Sequence, residues 1–264
     1  MNMLQKSKNF GYFTAIFIFL LLLTVRSYPQ FGQISKVGTT GAQFLKIGVG
    51  SRAVGMGGAF VALANDASAV YWNSAGLSQL RMREVIAVHV DGFMDSYYNF
   101  MGFAIPLGGY GTVGISVISV GMGEMEVRTV LEPEGTGEKF DAGSFALGLS
   151  FSRSLTDRFS IGFHGKYISE RIWHMTASSL ALDIGTLYIT QFHDFRIGMS
   201  ISNFGSKMQL KGIDTMVFHD IDETKEGNND RINAHLDTGS FDLPLLFRVG
   251  IAFDILSGGI NRLV

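Results

Sequence analysis

The chain has 264 residues, including 33 glycines, 4 prolines and no cysteine; 47% are apolar, 17% are charged and the formal net charge is −2. This composition excludes a disordered chain, a collagen and a coiled coil, and the lack of cysteine excludes a disulfide framework or thiolate metal site. The balanced charge carries no nucleic-acid footprint, and so little charge beside so much Gly and Phe points to a β-barrel that faces lipid.

In chain order, Lys6 and Lys8 form a short basic segment before the apolar-plus-Thr run of 14 residues from Tyr12 to Val25. A membrane-spanning helix needs roughly 20 residues. The run is therefore read as the core of an export signal over residues 1–27, with Val25 and Ser27 before the cut. The alternative is a membrane-anchoring N-terminal helix. No cysteine follows the run, which excludes a lipoprotein.

Residues 28–82 form the second segment. Gly48, Gly50, Gly55, Gly57 and Gly58 crowd together and lead into the small-residue stretch AFVALANDASAVYW. The sequence GVGSRAVGMGG contains neither GxGxxG nor GxxxxGK[ST], and no strand–helix unit surrounds it, so no nucleotide site is expected. Asn65-Asp66 signals the start of a short helix. The segment is read as compact helical turns that plug the inside or mouth of the barrel.

From residue 83 to 264 the dominant period is 2. Large apolar residues such as Phe145, Leu147, Leu149, Phe163, Ile197, Val249 and Ile251 alternate with Gly, Ala, Ser and an occasional charge. Strands are predicted near 83–92, 96–107, 110–120, 142–153, 158–170, 176–189, 194–203 and 243–255. A soluble sandwich also alternates, but its solvated face would carry more charge. The links also sort by parity. Gly108–Gly109, Ser154–Asp157 and Thr190–His193 are tight; the others are longer or aromatic-rich, including 121–141 and 204–242. Short turns on one rim and long loops on the other describe an all-β, antiparallel transmembrane barrel. The apolar set should point outward to lipid. Phe93, Tyr97, Tyr98 and Trp173 should form one interfacial belt, and Tyr110, Phe159, Tyr188, Phe192 and Phe195 the other.

The small face should point inward and carry His89, Asp91, His164, Lys166, Asp183, Arg196, Arg248 and Asp254 as ion pairs or plug contacts. An eight-stranded barrel has an interior just wide enough for its own side chains, so it cannot also hold residues 28–82. The barrel is therefore expected to be incomplete at the C-terminus, as an open sheet whose first and last strands do not pair.

The six histidines show no metal-ligand spacing, and there is neither HExxH nor GxSxG. No enzyme, metal or cofactor is expected. The loop 204–242 carries eight acids against four bases. Asp220, Asp222 and Glu223 offer oxygen ligands, but EF-hand spacing is missing and a solvated loop is favoured. A loop this long on the outer rim is where a partner would bind.

The block Ser51–Ala59, Asp66 and the turn Trp72-Asn73-Ser74-Ala75-Gly76 resemble the N-terminal signature of PorV/PorQ-type outer-membrane proteins, relatives of the FadL long-chain fatty-acid transporters. Residues 243–256 (LPLLFRVGIAFDIL) resemble a barrel strand of the same family. Arg52, Gly55, Gly57, Gly58, Asp66, Trp72, Asn73 and Gly76 carry the motif; Ser74 stands where the family usually has Pro. The resemblance implies a FadL-like fold, an outer-membrane location and a non-enzymatic role in type IX secretion. Its implied partners are membrane lipid, secretion-system proteins and exported cargo. The rival reading is a FadL-like channel for hydrophobic solutes, with a hydrophobic ligand.

Overall fold

The computed structural model describes residues 40–191, 195–220, 231–254, 256–258 and 261–263, all within the second of two compact units, 38–264. The expected export signal, residues 28–39 and the belt residue Phe192 lie outside the described residues, as do Asp222 and Glu223 of the acidic loop.

Eight strands form an antiparallel meander: β1 (Glu84–Asp91), β2 (Tyr97–Pro106), β3 (Thr112–Gly121), β4 (Ala142–Ser154), β5 (Phe159–Ile172), β6 (Met175–Ile189), β7 (Arg196–Gly205) and β8 (Leu246–Ala252). A two-residue strand, Lys211–Gly212, pairs against β6 as the ninth member of the sheet. No ladder joins β1 to β8 among the described residues, which is the open arrangement expected.

Because consecutive strands are antiparallel, links of the same parity share a rim. The links 122–141 and 206–245 therefore lie on one rim, and 107–111, 155–158 and 190–195 on the other, as the loop lengths predict. The fifth link, grouped with the longer or aromatic-rich ones, is the tightest of all: Trp173-His174, with Trp173 at φ 52. The long links also hold structure that their composition hides. Met125–Glu126 pairs with Lys139–Phe140, and Met216–His219 pairs with Ile232–His235.

The register defines the two faces. Val88, Phe100, Ile118, Ala146, Ile168 and Ser179 are successive partners across six strands, and those after Val88 are all buried. The adjacent row of Met101, Val117, Leu147, Tyr167 and Leu180 faces the other way, with Leu180 66% exposed. Phe145, Leu147, Leu149, Phe163, Val249 and Ile251 are exposed as expected, and Ile197 is half-buried. A sandwich would bury this set. Here that set is outside, and the inner face, mostly small or polar but holding Phe100, Ile118 and Ile168, is covered by residues 40–82.

Candidate functional site

The plug is made of short pieces: 3₁₀ turns Gln43–Lys46 and Ser74–Gln79, and single-turn helices Ser51–Gly55 and Ala69–Trp72. None is long enough to be stable alone in water, so the plug is held by burial. Phe44, Val49, Phe60, Val70, Trp72 and Leu77 share one core with Phe100, Ile118 and Ile168 of the sheet.

Asn73 ties the two layers together. Its Nδ2 donates to the Val61 carbonyl at 2.8 Å and to the Thr186 carbonyl of β6 at 3.0 Å, and its Oδ1 accepts from the Ala75 amide at 3.2 Å. Ser152 of β4 donates to the Ala75 carbonyl at 3.1 Å. This approach needs bare backbone on the sheet. A Cβ on Gly162 would lie 2.3 Å from the Ser74 carbonyl carbon, and one on Gly185 would lie 2.2 Å from Asn73 Oδ1. The small residues of the inner face are therefore the seat of the plug.

The motif residues act within the plug. Arg52 pairs with Asp66 at 3.0 Å, donates to Asn65 at 2.8 Å and stacks over Phe60, closing the glycine block against the acid. Asp66 also accepts from the Ser68 amide at 2.9 Å, ahead of the helix that begins at Ala69. Trp72 donates to the Val49 carbonyl at 2.9 Å. Gly57 and Gly58 take positive φ (64 and 81), whereas nothing crowds Gly55. At Gly76 a Cβ would collide with the Ala64 carbonyl oxygen, 1.8 Å away. The sequence singles out these residues but not their pairing: Arg52 and Asp66 are 14 positions apart in a stretch with no helical or strand period to align them.

Beneath the plug the inner face holds a polar cluster. Lys166 of β5 pairs with Asp183 of β6 at 2.9 Å, with both side chains buried, and also donates to Asn203. Asp183 accepts from the Asn203 amide at 2.7 Å, where the β6–β7 register shifts and Asn203 takes φ 65. His164 is enclosed between Ser150, 2.6 Å from Nδ1, and Ser116, 3.4 Å from Nε2. Arg248 of β8 reaches back over the rings of Tyr71 (5.8 Å) and Trp72 (5.4 Å). Burial pushes the Tyr71 hydroxyl up from its ordinary value, and the neighbouring Arg248 opposes this shift. These groups enclose a cavity of about 10 Å³, room for about one water.

Four inward expectations, His164, Lys166, Asp183 and Arg248, thus converge. Arg196 pairs with Ala252 on the same face near the short-turn rim, and Asp254 is half-buried just past β8. His89 and Asp91 are a correction. His89 pairs with Asn99, which pairs with Ser119, which pairs with Phe145, so His89 and Asp91 share the outer face with Phe145. On β1 both faces carry apolar residues, and polarity alone therefore misassigns them. His89 lies 2.6 Å from Asn99 and 3.0 Å from Asp91, next to the long-loop rim. Sequence reasoning also missed Glu84 and Glu170, whose carboxylates accept from the plug amides of Ala67 (2.9 Å) and Ala42 (3.1 Å).

The family model described as type IX secretion system protein PorV matches residues 30–261. No curated protein matches the chain.

Proposed function

The chain belongs to the PorV family of type IX secretion system proteins, and from that membership we propose that it is a non-enzymatic outer-membrane β-barrel that serves type IX secretion. Exported through its signal, it takes cargo proteins from the translocon and passes them to the surface attachment complex. One observation carries the membrane part of this reading: the outer face presents a continuous apolar surface of exposed Leu, Phe, Ile and Val across the sheet. Soluble proteins rarely leave such a patch uncovered, whereas a barrel wall turns it to acyl chains.

The same reading disfavours a hydrophobic-solute channel. Such a channel needs a hollow large enough for an acyl chain, but the cavity under the plug measures about 10 Å³ and mixes Leu45, Phe100 and Ile118 with His164, Lys166, Asp183 and Arg248.

The test is deletion of the gene with complementation. Proteins carrying the type IX C-terminal export domain should accumulate inside the envelope in the deletion strain and reappear at the surface on complementation. Normal cargo secretion with lost uptake of long-chain fatty acids would instead establish the channel.

A further inference from the structure

The two ends of the plug meet opposite rims of the wall. At its C-terminal end Leu80 and Arg81 lie beside Gly108, Gly109 and Ser154 on the short-turn rim, just before β1 begins. At its N-terminal end Thr40 bridges to Asp242 in the link 206–245, and the Gly41 amide donates to the Asp242 carbonyl at 3.0 Å. The next amide, of Ala42, donates to Glu170 at 3.1 Å, two residues before β5 ends on the long-loop rim. Gly162, against which Ser74 sits, is eight residues from Glu170 on the same strand. That is about 26 Å of strand, comparable to the roughly 25 Å apolar band of a barrel wall.

Residues 40–46 hold little structure of their own. They make a single 3₁₀ turn, and Ala42 before it sits at φ 48 and ψ 43, a left-handed conformation that a residue with a Cβ rarely adopts. Their position therefore comes from what they touch. Ala42, Phe44 and Leu45 share one core with Met208 and Leu243, from the two ends of the link 206–245. Met208 is 2% exposed and exchanges both backbone hydrogen bonds with Phe241 at 2.8 Å. A Cβ on Gly41 would lie 3.6 Å from Met208 Sδ and 3.8 Å from the Phe241 Cβ, so the base of the loop rests directly on this segment. The lower plug keeps separate ties to the sheet, through Asn73, Ser152 and the bare backbone of Gly162 and Gly185.

We propose that residues 40–46 are a strap that closes the plug at the cell-surface rim and fastens it to the loop 206–245. The strap opens from outside while the lower plug stays seated, and the base of the loop controls that opening. The inference rests on the barrel reading above, which sets the long-loop rim outside.

The experiment uses the full chain in the outer membrane of intact cells, with single cysteines and a membrane-impermeant maleimide. Glu134→Cys, exposed in the link 122–141, marks the outside, and Gly109→Cys marks the short-turn rim. Gln43→Cys, exposed on the strap, should label on intact cells like Glu134→Cys. Gly109→Cys should label only after the membrane is permeabilised. Two buried positions then read opening: Leu45→Cys in the strap (3% exposed) and Leu77→Cys in the lower plug (0%). Glu170→Ala and Met208→Ala should each speed labelling at 45 by about tenfold or more and leave 77 within about twofold. Glu170→Gln, which keeps an oxygen acceptor, should stay within about threefold of wild type at 45. Each variant should keep the wild-type heat-dependent gel shift.

Unchanged labelling at 45 in Glu170→Ala or in Met208→Ala overturns the proposal, since one tie or the other then holds nothing. Equal acceleration at 45 and 77 also overturns it, because the plug then opens as one piece. Gln43→Cys unlabelled on cells that label Glu134→Cys overturns this inference and leaves the barrel reading standing. Glu134→Cys that labels only after permeabilisation overturns the outward orientation of the long-loop rim, and this inference with it.

Discussion

Replacing Asn73 with Ala should release the plug without dissolving the sheet. The amide group makes three hydrogen bonds from a side chain that is 1% exposed: two donated to the Val61 and Thr186 carbonyls and one accepted from Ala75. Each is worth about 1 kcal/mol net, so their joint loss costs about 3 kcal/mol. The Val61 carbonyl and Ala75 amide would stay buried, and water reaches them only if the plug opens. The cost therefore falls on plug docking. Limited proteolysis within 40–82 reads that opening while reclosing is fast relative to cleavage. At about 1.4 kcal/mol per decade, cleavage should accelerate by roughly 100-fold. Asn73→Asp should be worse than Asn73→Ala, because a carboxylate has no proton for two carbonyl oxygens and brings a buried charge. The reasoning fails if Asn73→Ala cleaves within about twofold of wild type, or if Asn73→Asp is the milder change.

Three further outcomes follow from the same contacts. Gly162→Ala and Gly185→Ala should each destabilise the folded protein, because the new methyl lands 2.3 Å or less from the Ser74–Ala75 or Asn73 atoms; Gly165→Ala, with nothing within 4 Å, should leave the melting midpoint in detergent within about a degree or raise it. Ser74→Pro should stabilise by about 0.4–1 kcal/mol: position 74 opens a 3₁₀ turn, Asn73 before it is extended (φ −162, ψ 100), and the buried Ser74 hydroxyl has no hydrogen-bond partner to lose. A lower midpoint would refute that reading of the turn. Because the folded Tyr71 hydroxyl lies above the ordinary value of 10.0, its contribution is fully present below that pH and is lost as pH rises through the folded value. Alkaline melts should therefore fall less steeply above about pH 10 in Tyr71→Phe than in wild type, and parallel slopes would contradict the assignment.

Where one side of a strand is large and the other small, the sequence was sufficient to read the fold. β4 to β6 fall within a few residues of the predicted ranges, and their outward residues are the expected ones. β1 fails that criterion: Val85 and Ala87 on one face resemble Ile86 and Val88 on the other, so only pairing with β2 reveals which way His89 points. The hairpins inside 122–141 and 206–245 were hidden for a different reason. They are two- and four-residue ladders on exposed loops, with no buried face to impose a period. The plug was legible as a motif but not as a geometry, because Asn73 meets Thr186 across 113 residues and Arg52 meets Asp66 outside any regular element. The cluster of Lys166, Asp183 and Arg248 was expected inside; the Asn203 bulge that completes it leaves no trace in the alternation.

The absence of cysteine permits a direct measurement of the central claim, since single cysteines can be introduced without background. Cysteines at Leu147, Leu180 and Val249 on the outer face, and at Thr136 in the long loop, would each carry a bimane fluorophore in the protein reconstituted into vesicles with brominated acyl chains. The account predicts strong quenching at 147, 180 and 249 and little at 136. Equal quenching at all four positions, or ready labelling of 147, 180 and 249 by a membrane-impermeant maleimide in vesicles, would contradict a lipid-facing wall.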